Sequence, residues 1–391
     1  MTTEITPESA AAAEAHEVDL DAAISAPVDT PDDAAPPLVI RPAAGEQSGQ
    51  SLAERALRTT ARWVLAFAAA FAIFGVFLMA RGVNPFEAYQ AMWTSFAGSS
   101  NSIGETLVQT APFLLAALAV ALPARAGLFN IGGEGQLLLG AIFALGMADI
   151  MANAFSPLIQ LTMMAIAGMV GGALWAGIPA LLKRYTATSE AITSLLLNYI
   201  AVLLLQWLVY GAWKDTSSLG FPQSRSLELD ERFPIIWGSR VHAGVLISVV
   251  MAVVVWAVLK YTPWGFRLRV VGGNAEAARR AGFRVGALSI SAMLAGGALA
   301  GLAGMVELSG VEGQLRPSML VGYGFIGFLA SWLVKHEPLK IIGSAFLMGA
   351  LYVGANGLKS AAGLSGAAVY VLMAVLLLAI LGWSQKKKVA A

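Results

Sequence analysis

"ALSISAMLAGGALAGLAGMVEL", residues 287–308, is an apolar run of twenty-two residues. About 20 residues rising ~1.5 Å each cover the ~30 Å hydrocarbon core of a bilayer, so the run reads as a membrane-spanning helix. Its centre, "LAGGALAGLAG" (294–304), places Gly297 and Gly301 four residues apart on one face. Gly168 and Gly172 repeat that spacing. Small residues at this interval let two helix backbones approach closely, so 294–304 is expected inside a packed bundle.

Working outward, similar runs recur at 61–80, 106–123, 135–152, 157–182, 190–211, 242–260, 322–334, 339–358 and 367–383. The chain is 391 residues long, with 57% hydrophobic residues, 13% charged residues and a mean hydropathy of +0.70. A soluble domain carries roughly 25% charged residues. These features predict an all-α polytopic membrane protein of about ten segments. The run 322–334 is short for a crossing and is expected to be re-entrant or tilted against protein. Phe86–Phe96 reads as an interfacial helix. Cysteine is absent, which excludes disulfides, thiolate catalysis and zinc–sulfur sites. His16, His242 and His336 lie far apart, so no metal site is expected.

Charge divides the chain. Residues 1–50 hold ten acids and one base, Arg41. Rich in Ala and Pro with few large apolar residues, the segment 1–55 reads as a disordered acidic cytoplasmic extension rather than a signal peptide. A membrane-spanning core is expected over 56–385, with a basic tail at 386–391. Placing the N-terminus in the cytoplasm puts eighteen of the 25 Lys and Arg residues on that side. This distribution predicts both termini inside, with 212–241 as an external loop and 261–286 as a cytoplasmic one.

That cytoplasmic loop contains "WGFRLRVVGGNAEAARRAGFRV" (264–285). Gly272, Gly273 and Gly282 bracket a short predicted helix, Asn274 to Ala281. Asn274 can cap its start, while Arg279 and Arg280 complement the dipole at its end. Two readings stand side by side: an ordinary basic loop, and a knob presented to a soluble partner.

The chemistry expected of an enzyme is missing. There is no G-x-x-x-x-G-K-[ST], H-E-x-x-H or G-x-S-x-G. Gly322, Gly324 and Gly327 form a G-x-G-x-x-G, but within an apolar run and without a preceding strand, which points to helix packing. Two polar sets are more informative. "LFNIGGEGQLLLGA" (128–141) gathers Asn130, Glu134 and Gln136 at a glycine-broken helix start, a pattern that lines pathways. Glu134 can alternatively pair with Arg125 at the interface. "TSEAITSLLLNYIA" (188–201) offers Thr188 or Ser189 as a cap, with Glu190 and Asn198 near one face. Asn198 serves either helix association or substrate contact. Gln109, Gln206 and Asn356 are weaker candidates. Glu134 and Glu190 are the acids a proton- or sodium-coupled transporter would have to use, but no inverted repeat accompanies them.

In order, "GLFNIGGEGQLLLGA" (127–141), "SEAITSLLLNYIA" (189–201), "RVVGGNAEAARRAGFRV" (269–285) and "GYGFIGFLASWLVKHEPLKIIGSAFLMGAL" (322–351) resemble permease subunits of bacterial ABC importers. The resemblance is to the simple-sugar and nucleoside type, within the branched-chain amino acid and ribose permease superfamily, and covers residues 60–385. It implies a type II importer-like bundle in the inner membrane, paired with a second permease chain. It also implies a cytoplasmic ATPase carrying ATP and Mg, and an extracytoplasmic substrate-binding lipoprotein. No cofactor on this chain and no nucleic-acid partner is implied; lipid surrounds the bundle. Residues matching the family's coupling helix are Gly272, Asn274, Glu276, Ala277, Ala278, Arg279, Arg280 and Gly282. Ala278→Asp is expected to abolish transport without unfolding the chain. Asn130, Glu134, Gln136, Glu190 and Asn198 would lie beside the substrate path. Gly133 and Phe328–Trp332 depart from the family pattern. Branched-chain amino acids and sugars remain alternative substrates.

Overall fold

The computed structural model describes residues 52–151, 154–238, 240–362, 371 and 374–375. Nearly all of the acidic extension, most of the run 367–383 and the tail 386–391 lie outside the described residues. The chain divides into units Met1–Leu57 and Arg58–Ala391, and the second carries everything below.

Twelve helices are described: α1 (Leu52–Ala80), α2 (Pro85–Ala97), α3 (Ser100–Ala124), α4 (Gly133–Met151), α5 (Pro157–Thr186), α6 (Glu190–Tyr210), α7 (Ala243–Tyr261), α8 (Pro263–Gly273), α9 (Ala275–Arg280), α10 (Val285–Glu307), α11 (Tyr323–Leu333) and α12 (Pro338–Ala362). Seven of these, α3–α7, α10 and α12, are each long and apolar enough to cross a membrane. Phe67–Ala80 of α1 and α2 qualify together but meet at 117°. Pro85 at the start of α2 and the Asn84 side chain capping Phe86 N set that corner. The sequence expectation of a separate helix over 86–96 is met, as a sharply bent continuation.

Helix α3 forms the centre, with 89% of its apolar window buried against other helices, whereas the figure is 33% for α6 and 28% for α7. The outer face of α6 is instead Ile192, Leu196, Tyr199, Leu203, Trp207 and Tyr210, all exposed. So large an apolar surface is incompatible with water and suited to lipid. The two glycine pairs, each expected to allow close helix approach, meet one another. A Cβ on Gly168 would lie 3.1 Å from the Gly301 carbonyl, and one on Gly172 2.7 Å from Gly301 Cα. Helices α5 and α10 therefore pack backbone to backbone.

Polar contacts define two ends of the bundle. At one, Arg125 donates to His336 O at 2.9 Å and pairs with Glu337 at 3.1 Å, while Lys183 pairs with Glu190 at 2.7 Å. At the other, Arg225 pairs with Asp149 and, at 2.7 Å, with Glu231. Gln160 donates to Glu231 at 3.1 Å. Burial opposes ionisation of Glu231, but Arg225 outweighs it and holds the carboxyl below its ordinary range. The loop at this end contains a short antiparallel pair, β1 (Ile235–Trp237) and β2 (Val241–His242).

Sequence 313–334 is not re-entrant. Leu227 N donates to Gly313 O and Leu315 N to Ser224 Oγ, which fixes its start at the Arg225 end. A π turn, Leu308–Glu312, closed by Gly313 at φ +70°, delivers the chain there. It descends without helix to Gly322 and finishes as the eleven-residue α11 at the Arg125 end. A non-helical half, mostly turns, followed by a helical half runs from one end of the bundle to the other, so the apolar run looked short.

Candidate functional site: two broken passages meeting inside the bundle

Two irregular stretches lie inside the bundle, 125–132 before α4 and 313–322 before α11. A helix start leaves backbone N–H groups without intrahelical acceptors and carries partial positive charge. Here two such starts meet back to back. A Cβ on Gly133 would sit 3.4 Å from Gly324 Cα, and a Cβ on Gly324 would collide with the backbone of Glu134. Glu134 in the first turn of α4 accepts from Gly322 N at 3.0 Å, so its carboxylate serves both termini. Arg125 is paired with Glu337 instead, which corrects the expectation of an Arg125–Glu134 pair.

The non-helical backbone before α4 is satisfied side chain by side chain. Asn130 and Gln136 exchange two hydrogen bonds, Nδ2 to Oε1 at 3.0 Å and Nε2 to Oδ1 at 2.8 Å. Asn130 also donates to Ala119 O on α3. One face of α6 supplies the rest: Glu190 accepts from Phe129 N, Ser194 from Ile131 N, and Asn198 from Gly135 N at 2.8 Å while donating to Ile131 O at 3.0 Å. These residues are spaced by four, so they stack along one side of the helix. All five predicted pathway residues, Asn130, Glu134, Gln136, Glu190 and Asn198, therefore gather around this break, each at most 8% exposed. Ser189 occupies the cap position of α6 without a side-chain bond, and Thr188 binds Thr186.

Beside the break, the Phe129 ring stacks on Trp332 at 6.0 Å and 7°. Phe129 is 48% exposed, which makes it the open face of an otherwise closed cluster. Trp332 also meets His336 edge-on, and Ser331 Oγ lies 2.9 Å from His336 Nδ1. Burial, then the charge of Arg125, lowers His336 to about 4, so this imidazole is neutral near pH 7.

Sequence reading passed over a second buried polar group. Glu307, 1% exposed at the end of α10, lies 3.0 Å from Tyr323 Oη, which is 2.9 Å from Gln109 of α3. Tyr352 packs edge-on against Tyr323. Glu134 and Glu190 are thus not the bundle's only interior acids. An acid within the apolar run 287–308 was the available signal, and its place at the end of the run disguised it as interfacial.

The basic loop folds as expected. Asn274 Oδ1 caps α9 by accepting from Ala277 N at 2.9 Å. Glu276 pairs with Arg279 at 2.5 Å and Arg280 at 3.4 Å, and both arginines are largely exposed. Ala278 differs from expectation: it is fully buried against this chain. Ala278→Asp would thus disturb packing rather than probe an outer surface. Gly272 lies directly on the Arg125 carbonyl, and a Cβ there would collide with it. The α8–α9 loop consequently touches the backbone that leads into the broken passage. Among the described residues no group of three or more His, Asp or Glu could hold a metal.

Known proteins are similar to this chain over most of its length. The glucose ABC transporter permease protein of Haloferax volcanii is 36% identical over 82% of this chain and 88% of its own length. The guanosine ABC transporter permease protein of Bacillus subtilis is 32% identical over 77% and 87%, and the nucleoside ABC transporter permease protein of Lactococcus lactis 31% over 76% and 84%. The latter two organisms each supply a second, more distant match of the same description. The family model described as branched-chain amino acid transport system, permease component, matches residues 102–381, a span that holds both broken passages and the α8–α9 loop. This chain belongs to that permease family.

Proposed function

We propose that the chain is the permease subunit of an ATP-driven ABC importer for nucleosides or related simple sugars. The observation that carries this reading is the meeting of two broken passages beside a loop that touches the Arg125 turn and exposes Arg279 and Arg280. Discontinuous helices inside a membrane protein characteristically border a substrate path. Here the exposed Phe129 ring offers a stacking surface suited to a base, and the buried amides of the break hold the backbone behind it. The names of the relatives, for glucose, guanosine and nucleosides, favour the same substrates.

In this reading the bundle makes ten crossings, counting the α1–α2 pair, the passage 313–333 and the run 367–383. Both termini are cytoplasmic, the membrane is the inner membrane, and 212–241 faces outside. A cytoplasmic ATPase holding ATP and Mg receives α9 through Arg279 and Arg280. Its closure shifts the α8–α9 loop against the Arg125 turn and rocks the broken passages between two arrangements. A second, different permease chain completes the path, as the paired relatives in two organisms suggest. An extracytoplasmic lipoprotein delivers the substrate.

The test is uptake of radiolabelled adenosine by proteoliposomes containing the whole complex, with unlabelled nucleosides, glucose and leucine as competitors. ATP-dependent uptake suppressed by nucleosides or sugars is expected. Uptake suppressed by leucine alone, or driven by an ion gradient without ATP, would contradict the reading.

A further inference from the structure

A cavity of about 1050 Å³ lies at the Arg225 end, outside the broken passages. Helix α5 forms one wall through Pro157, Leu161, Ala165 and Met169, α7 the other through Ile247, and Leu302 of α10 the floor. Leu229, residues 232–235 and Arg240 roof it. Arg240 is occupied by Glu105 at 2.9 Å. Arg232 is exposed, donates from Nε to Leu227 O at 3.3 Å, and has no ion pair among the described residues. The cavity is therefore an apolar cleft with a cation at one end.

Length selects its occupant. Pro157 to Met169 is thirteen residues of helix, a rise of ~18 Å, and the lining stops there although α5 continues to Thr186. One leaflet of hydrocarbon is about 15 Å deep, half the ~30 Å core. A crossing helix from another permease would need about twice the cleft's length and would meet the roof. The geometry points to a phospholipid site: one acyl chain lies between α5 and α7 on Leu302, and the anionic headgroup of a lipid from that leaflet rests on Arg232.

The full-length protein, delipidated in detergent, would be titrated with dioleoyl phosphatidylglycerol or dioleoyl phosphatidylcholine, and bound lipid counted by native mass spectrometry. One phosphatidylglycerol should be retained preferentially by about fivefold, the effect of one cation at a membrane surface. Arg232→Gln, at an exposed position, should remove the preference without unfolding the chain. Ala165→Trp should fill the cleft and remove the tight lipid. Equal retention of the two lipids by the parent protein would overturn the proposal. So would an unchanged preference in Arg232→Gln, or an unchanged tight lipid in folded Ala165→Trp. Because the chain has no cysteine, Thr162→Cys provides a unique label at the cleft wall. Cross-linking from this site to a second permease chain in native membranes would also overturn it.

Discussion

Asn130 and Gln136 show how one residue can hold an irregular backbone inside a membrane protein. Each amide satisfies the other, so removing one leaves a buried, unpaired group at a cost of about 1–3 kcal/mol. Asn130→Ala is expected to lower the melting temperature of the detergent-solubilised protein, and Asn130→Ala/Gln136→Leu should recover part of the loss. Thermal melts of the three variants check this. His242 gives a pH prediction. Its Nδ1 accepts from Gly244 N, and burial followed by the charge of Arg240 lowers it to about 4. An unfolded imidazole titrates near 6.5. Between these values the unfolded chain binds a proton that the folded chain does not, so stability falls as pH drops from about 6.5 toward 4. His336 acts in the same direction. His242→Asn/His336→Gln should flatten melting temperature against pH across that window, and an unchanged slope would contradict the assignment. Asn130, Gln136 and Asn198 stand out in the sequence because amides are conspicuous in apolar runs. The partners of Asn198, the Ile131 carbonyl and Gly135 N–H, are backbone groups that no residue pattern displays.

Helices α5 and α10 were legible as a pair of elements but not as partners. Each carries the small-residue spacing, yet nothing in the spacing says that Gly168 and Gly172 meet Gly297 and Gly301 rather than another small face. The contact explains the strictness of the glycines, since a Cβ at Gly301 would collide with the Gly168 carbonyl. Overpacking of this kind costs about 1–3 kcal/mol when neighbours can shift, and more at backbone contacts. Gly301→Val is therefore expected to abolish recovery of monodisperse protein on size exclusion, whereas Ala298→Val on the same helix should be tolerated. The passage 313–333 was the least legible element. Its helical half reads as a short apolar run, and its non-helical half has too few apolar residues to read as membrane-buried. The chain tolerates it because Glu134 and the loop at the Arg225 end satisfy its backbone. Of the glycines read as packing, Gly324 meets Glu134 and Gly327 meets Ala116, whereas Gly322 instead takes φ +82° at the start of α11.

At the scale of the whole molecule, the described helices, α6 with its apolar outer face among them, pack around two interrupted passages. The loop carrying α9 reaches those passages by direct backbone contact, Gly272 on Arg125. Force applied to α9 from outside thus has a short route to Phe129 and the Asn130–Gln136 brace. The charge reversal belongs at Arg279 and Arg280, which are exposed, rather than at the buried Ala278. The most direct measurement is affinity purification of the tagged chain from native membranes in mild detergent, with mass spectrometry of the proteins recovered. The account predicts an ABC ATPase and a second permease with the parent chain. With Arg279→Glu/Arg280→Glu it predicts loss of the ATPase while the second permease remains. Recovery of the chain alone, or an ATPase retained equally by both forms, would contradict it.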